Sequence, residues 1–98
     1  MKVFFADEKL QKLFSEGFRA HKLPPEVYDA FLDMVQTMQN IPDERSLYTL
    51  PALHMEKLTG DRKGQFSVRL NKQYRLCFEI QKDQAGNTIL LLEIVDYH

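Results

Sequence analysis

Asp96, Tyr97 and His98 stand at the end of a strongly apolar run, ILLLEIV, residues 89–95. On an extended strand Asp96 and His98 share a face and Tyr97 points to the other. Histidine changes charge near neutral pH, a neighbouring carboxylate can orient its ring, and the terminal carboxylate beside His98 favours the imidazolium. Together with an arginine, these are the parts needed to cleave RNA without a metal. One group takes the 2′-hydroxyl proton, one protonates the leaving 5′-oxygen, and the cation stabilises the charge on a phosphorane-like transition state. Left unanchored, the same three residues would be a frayed end. A buried strand over Ile89 to Val95 would hold them at the rim of a sheet instead.

The cation has two candidates. QFSVRL, residues 65–70, alternates with Phe66, Val68 and Leu70 on one face. Tyr74, Leu76, Phe78 and Ile80 alternate again, opposite Arg75, Cys77 and Glu79, and Asn71-Lys72-Gln73 between the two runs reads as a hairpin turn. If the apolar sets face a core, Ser67, Arg69, Arg75 and Glu79 face away, with Arg69 and Arg75 neighbours across the hairpin. Two adjacent cations repel each other, which an anionic ligand would explain; the plainer alternative is a solvated sheet face on which Glu79 pairs one arginine.

The elements that must carry these residues are two helices followed by a strand meander. Leu10, Leu13, Phe14 and Phe18 make one apolar stripe, predicting a helix over residues 7–21 with Asp7 at its start, Gly17 weakening its last turns and Pro24-Pro25 ending it. A second helix begins near Pro25 and turns Val27, Ala30, Phe31, Met34, Val35 and Met38 to one side until Asn40-Ile41-Pro42 stops it. Residues 43–52 are a connector with at most one helical turn near DERSLY. Residues 82–87 form a second hairpin turn, and the last strand, apolar on both faces, belongs inside the sheet. The fold class is α+β: two N-terminal helices on one face of a mainly antiparallel sheet, a single domain over residues 1–98.

A net charge of −1 over 98 residues excludes a bulk electrostatic binder. The segment from Lys57 to Arg75, however, holds Lys57, Arg62, Lys63, Arg69, Lys72 and Arg75 against Asp61 alone, a local basic patch able to attract a polyanion. The one cysteine, Cys77, rules out an internal disulfide and reads as a buried, inert thiol. Nothing suggests a metal or cofactor. No apolar run reaches membrane-spanning length, and MKVFF meets Asp7 and Glu8 too early for a secretory signal, so the expected location is cytoplasmic.

The stretch LHMEKLTGDRKGQFSVRLNKQYRLCFEI, residues 53–80, followed by the terminal EIVDYH, resembles the HigB branch of the RelE/ParE toxin superfamily, also called plasmid maintenance killer or host inhibition toxins. With the two helices, the resemblance covers nearly the whole chain. It implies a toxin of a type II toxin–antitoxin system: a ribosome-dependent mRNA endonuclease neutralised by a helix-turn-helix antitoxin, through which the complex binds operator DNA. Asp96, Tyr97 and His98 match the family's terminal motif, with His98 the expected acid or base. Arg75, in QYRLCF, matches the arginine expected at the scissile phosphate. Lys57, Arg62, Lys63, Arg69 and Lys72 are then expected on RNA phosphates. His54 and Lys57 resemble a second His and Lys that some members place before the glycine-aspartate turn. Here Thr59-Gly60-Asp61 stands farther from His54, and a shifted register would turn Glu56 rather than His54 to the site. His21 fits a helix end. ParE relatives of the same architecture poison DNA gyrase and cleave no RNA, which keeps a non-catalytic gyrase inhibitor as the alternative, with an inactive antitoxin-binding remnant as a third.

Overall fold

The computed structural model describes residues 1–17, 23–84 and 86–96. The chain runs β1 (Lys2–Phe5), α1 (Glu8–Glu16), α2 (Pro25–Asn40), α3 (Arg45–Tyr48), β2 (Glu56–Lys57), β3 (Phe66–Arg69), β4 (Tyr74–Asp83) and β5 (Gly86–Asp96), with 3-10 turns at Pro51–Leu53 and Gly60–Arg62. The strands form one sheet in the order β1-β5-β4-β3-β2, antiparallel except where β1 lies parallel to β5.

The α1 helix starts where Asp7 accepts a hydrogen bond from the Lys9 amide at 2.7 Å, which satisfies one of the free donors of the first turn. This helix ends at Glu16; Phe18 and the rest of the span expected to reach residue 21 lie outside the described residues. Gly17 takes φ +98°, a value that side-chain-bearing residues avoid, and its amide closes the helix on the Leu13 carbonyl at 3.3 Å. The α2 helix occupies the predicted span, Pro25–Asn40, and buries Val27, Phe31, Met34, Val35 and Met38, one stripe of its surface. Phe14 meets the edge of Phe31 at 6.4 Å between centroids and lies 5.5 Å from Phe5, so one aromatic chain ties both helices to β1. Each fully buried side chain of this kind contributes roughly 1.5–3 kcal/mol.

The core lies between α1, α2 and the sheet face carrying Val68, Leu76, Phe78, Ile89 and Leu91, each of them fully buried. As expected, β5 has neighbours on both sides; one of them, β1, comes from MKVFF and pairs Lys2 with Thr88 through Phe5 with Leu91. The β4–β5 ladder runs from Tyr74↔Asp96 to Asp83↔Gly86, interrupted by a bulge: Cys77 pairs with Glu93 but Phe78 with Leu91. Leu91 and Glu93, two apart, would share a face in a regular strand. The extra residue, Leu92, reverses the alternation, so Leu91 enters the core and Glu93 emerges on the opposite face. No helix among the described residues is long and apolar enough to cross a membrane.

Candidate functional site

The sheet face opposite the helices collects the chemistry. Register sets Arg69 against Arg75, Ser67 against Cys77, Glu56 against Ser67, and Val95 and Glu93 against Arg75 and Cys77. Directly paired residues share a face, which makes Arg69 and Arg75 the neighbours that the alternation predicts. Their side chains part company. Arg69 is exposed, whereas Arg75 is only 9% exposed.

Arg75 lies down on the sheet. Its Nε donates to Ser67 Oγ at 2.8 Å and its Nη2 to the Ser67 carbonyl at 3.4 Å. Nη2 also donates to the carbonyl of His54, and the Glu56 carboxylate stands 3.9 Å away. A guanidinium held by its own fork of donors is pre-organised in a way that an ammonium is not. Nη1 has no hydrogen bond to another described residue.

His54 reaches this network through its backbone. It follows the Pro51–Leu53 turn and sits at φ 46°, ψ 52°, the left-handed region, which costs an ordinary residue about 1–2 kcal/mol. Among the described residues it alone, glycine apart, has positive φ. Its imidazole is exposed while its carbonyl points at Arg75. Glu56, paired with Ser67, is the side chain from this segment that faces the arginine. Backbone relief and side-chain loss can be separated by substitution. His54→Gly is expected to exceed His54→Ala in urea-unfolding stability by about 0.5–1 kcal/mol, reversing the usual order, because relief of left-handed strain outweighs the entropy glycine adds to the unfolded chain. The usual order, with alanine ahead by its full entropic margin, would mean that position 54 bears no strain.

A second ion pair crosses the same face. Arg62, at the end of the Gly60–Arg62 turn, donates through Nη1 to Gln65 Oε1 at 2.9 Å and through Nη2 to the Glu93 carboxylate. Between the two pairs lies Cys77, fully buried. Burial pushes its thiol up, against the pull of the Arg62 and Arg75 guanidiniums. Lys57, Lys63 and Lys72 are exposed, and with Arg69 none forms an ion pair with another described residue. Lys57 pairs with Phe66 and so projects on the face opposite Glu56. Lys72 occupies the β3–β4 turn, where Asn71 Oδ1 accepts from the amides of Gln73 and Tyr74 at 2.8 and 2.7 Å. No three His, Cys, Asp or Glu side chains among the described residues converge as a metal site requires.

Asp96 ends β5 beside Tyr74, one step along the ladder from Arg75↔Val95 and on the other face, and its Oδ2 accepts from Gln73 Nε2 at 3.1 Å. Tyr97, His98 and His21 lie outside the described residues. Two participants escaped the sequence reading as partners: Ser67, a small polar residue in an apolar strand, and Glu93, the one acid inside ILLLEIV. A charge embedded in an apolar run is the signal that marks Glu93.

Known proteins share this arrangement of elements. A sequence model of the RelE-like toxin of type II toxin–antitoxin system HigB matches residues 3–98. Toxin HigB-1 of Vibrio cholerae serotype O1 is 31% identical over 90 residues, covering 92% of this chain and 95% of that protein. The YoeB/ParE toxin from Agrobacterium tumefaciens superposes with a TM-score of 0.60 at 13% identity over 100% of both chains. The archaeal RelE-RelB complex from Pyrococcus horikoshii OT3 does so with a TM-score of 0.57 at 19% identity, over 97% of this chain and 92% of that one. At those identities the structures speak for the fold; the sequence matches speak for kinship. The chain belongs to the HigB family of RelE-like toxins of type II toxin–antitoxin systems.

Proposed function

We propose that this toxin is a ribosome-dependent mRNA endoribonuclease. The observation that carries the reading is Arg75: a guanidinium buried in the sheet, fixed by Ser67 and His54 through Nε and Nη2, on the strand that pairs with the one leading into Asp96-Tyr97-His98. In this reading Nη1 takes a non-bridging oxygen of the scissile phosphate, and the phosphate competes with Glu56 for the cation. The RNA 2′-oxygen attacks phosphorus, the bond to the 5′-oxygen breaks, and a 2′,3′-cyclic phosphate and a 5′-hydroxyl result. His98 moves the proton, Tyr97 stacks on a nucleotide, and Arg75 stabilises the charge that develops; Asp96, on the sheet face away from Arg75, anchors the end of β5 through Gln73. Arg69, Lys57, Lys63 and Lys72 meet RNA phosphates, so binding weakens steeply with salt. An open sheet face cannot enclose a strand of RNA, and the ribosome supplies the other wall.

The neutralising partner is a helix-turn-helix antitoxin, and operator DNA is bound through it. The structural relatives include RelE with RelB and YoeB with YefM, which supports such a partner. The chain works in the cytoplasm, as one domain.

Primer extension on a defined message in a purified translation system, with and without ribosomes, tests the reading. Cuts that appear only with ribosomes are expected. Intact message beside inhibited DNA gyrase in a parallel supercoiling assay would overturn the nuclease reading and make this chain a gyrase poison. Intact message and active gyrase would leave a remnant that only binds antitoxin.

A further inference from the structure

The loop from Leu58 to Gln65 joins β2 to β3 at the edge of the sheet, yet its Arg62 pairs with Glu93 on β5. Glu93 lies two strands inward from β3, roughly 10 Å across the sheet. The loop is therefore folded back over the face that carries Ser67, Cys77 and Arg75. Little inside the loop would hold it there. Its own backbone hydrogen bonds, from the Leu58 amide to the Gln65 carbonyl at 2.9 Å and from Arg62, Lys63 and Gln65 to Thr59, Gly60 and Arg62 at 3.2, 3.1 and 3.0 Å, set the shape of the loop but do not tie it to the sheet face. A loop carried by a two-residue edge strand opens cheaply as a unit unless something ties it to the sheet. Arg62 supplies the cross-tie: one nitrogen on Gln65 at the loop's exit, the other on Glu93. The β5 bulge is what turns Glu93 to this face at all.

We propose that Glu93 and Arg62 are positioning residues, a latch that holds the loop over the sheet and fixes where Lys63 stands relative to Arg75 when RNA phosphates arrive. This rests on the nuclease reading for its ligand, but the latch itself does not. Arg62 then acts on the loop rather than on a phosphate, a distinction that Glu93 makes testable: a direct phosphate contact by Arg62 has no need of Glu93.

The test uses the full chain with Glu93→Gln, Arg62→Gln and the charge swap Arg62→Glu with Glu93→Arg. Amide hydrogen exchange across Leu58 to Gln65, measured without ribosomes, is expected to speed up about three- to fivefold in each single variant, the size a partly exposed ion pair allows, and to return toward wild type in the swap. In ribosome titrations the single variants are expected to raise the half-saturating ribosome concentration by a similar factor, with the saturated cleavage rate within about twofold of wild type. Unchanged loop exchange in Glu93→Gln overturns the latch. A weakened Arg62→Gln beside an unaffected Glu93→Gln returns Arg62 to direct phosphate binding. Faster exchange with an unchanged half-saturating concentration overturns the loop's part in RNA engagement. A wild-type chain that cuts nothing sinks the nuclease reading alone, since the exchange measurement still decides the latch.

Discussion

Arg75→Ala is expected to damage stability and cleavage together. Removing the guanidinium leaves the Ser67 hydroxyl and the His54 carbonyl without their partner, both beneath a face where Arg75 is 9% exposed. A hydrogen bond to a charged group contributes roughly 1.5–3 kcal/mol, so losing these two costs about 3 kcal/mol at the low end. For a domain of this size that lowers the melting temperature by roughly 12 °C or more. The Glu56 contact adds little, because its side chain is 62% exposed and the separation is 3.9 Å. Cleavage by ribosome-bound toxin should fall by about 10²–10³, the usual loss when one preorganised charge is withdrawn from a transition state. Arg75→Lys separates the two effects. One ammonium cannot form the arginine's fork of bonds to Ser67 and His54, so part of the stability returns while cleavage stays low. A wild-type melting curve for Arg75→Ala would show that the network contributes nothing to the fold, and undiminished cleavage would remove Arg75 from the chemistry.

His98→Ala is expected to behave differently. An acid-base role predicts a loss of about 10²–10⁴ in cleavage with the melting temperature within a few degrees of wild type. The same variant should still bind the antitoxin that neutralises the wild-type toxin, and expressed alone it should no longer stop growth. Paired thermal melts and primer extension on the two substitutions, His98→Ala and Arg75→Ala, then place each residue: loss of cleavage alone marks chemistry, loss of both marks a group that also builds the site. Cleavage that survives in His98→Ala would give the proton transfer to another group, with Glu56, 3.9 Å from Arg75, the first to examine.

Where local pattern governs, the sequence and the structure agree. The α2 helix runs from the proline that permits its first turn to the Asn40-Ile41-Pro42 stop, because its apolar stripe, its start and its end are all written in one continuous stretch from Pro25 to Pro42. The β3–β4 hairpin is equally local: alternation over Phe66–Arg69 and Tyr74–Asp83 determines which side chains share a face, and so predicts that Arg69 and Arg75 stand side by side. Gly17 is a milder case. Its weakening of the first helix was legible, but only the φ of +98° shows that the helix stops there.

What the tertiary structure decided are pairings between residues far apart in the chain. MKVFF carries no strand signal strong enough to stand alone; it becomes β1 because β5 offers a parallel edge from Thr88 to Leu91. The sheet face opposite the helices reads as an open, solvated surface, yet the segment from Pro51 to Gln65 folds over it, covering Ser67, Arg75 and Cys77 and placing a carbonyl, a carboxylate and a second guanidinium there, where Glu93 of β5 meets that guanidinium. Inside ILLLEIV, alternation cannot be counted, because apolar residues fall on both faces; one bulge at Leu92 therefore settled silently which way Glu93 points. The sequence by itself determined the family, the helices and the residue types of the site, since these depend on identity and near-neighbour spacing. Which of those residues meet was decided by register, and register is a property of two strands at once.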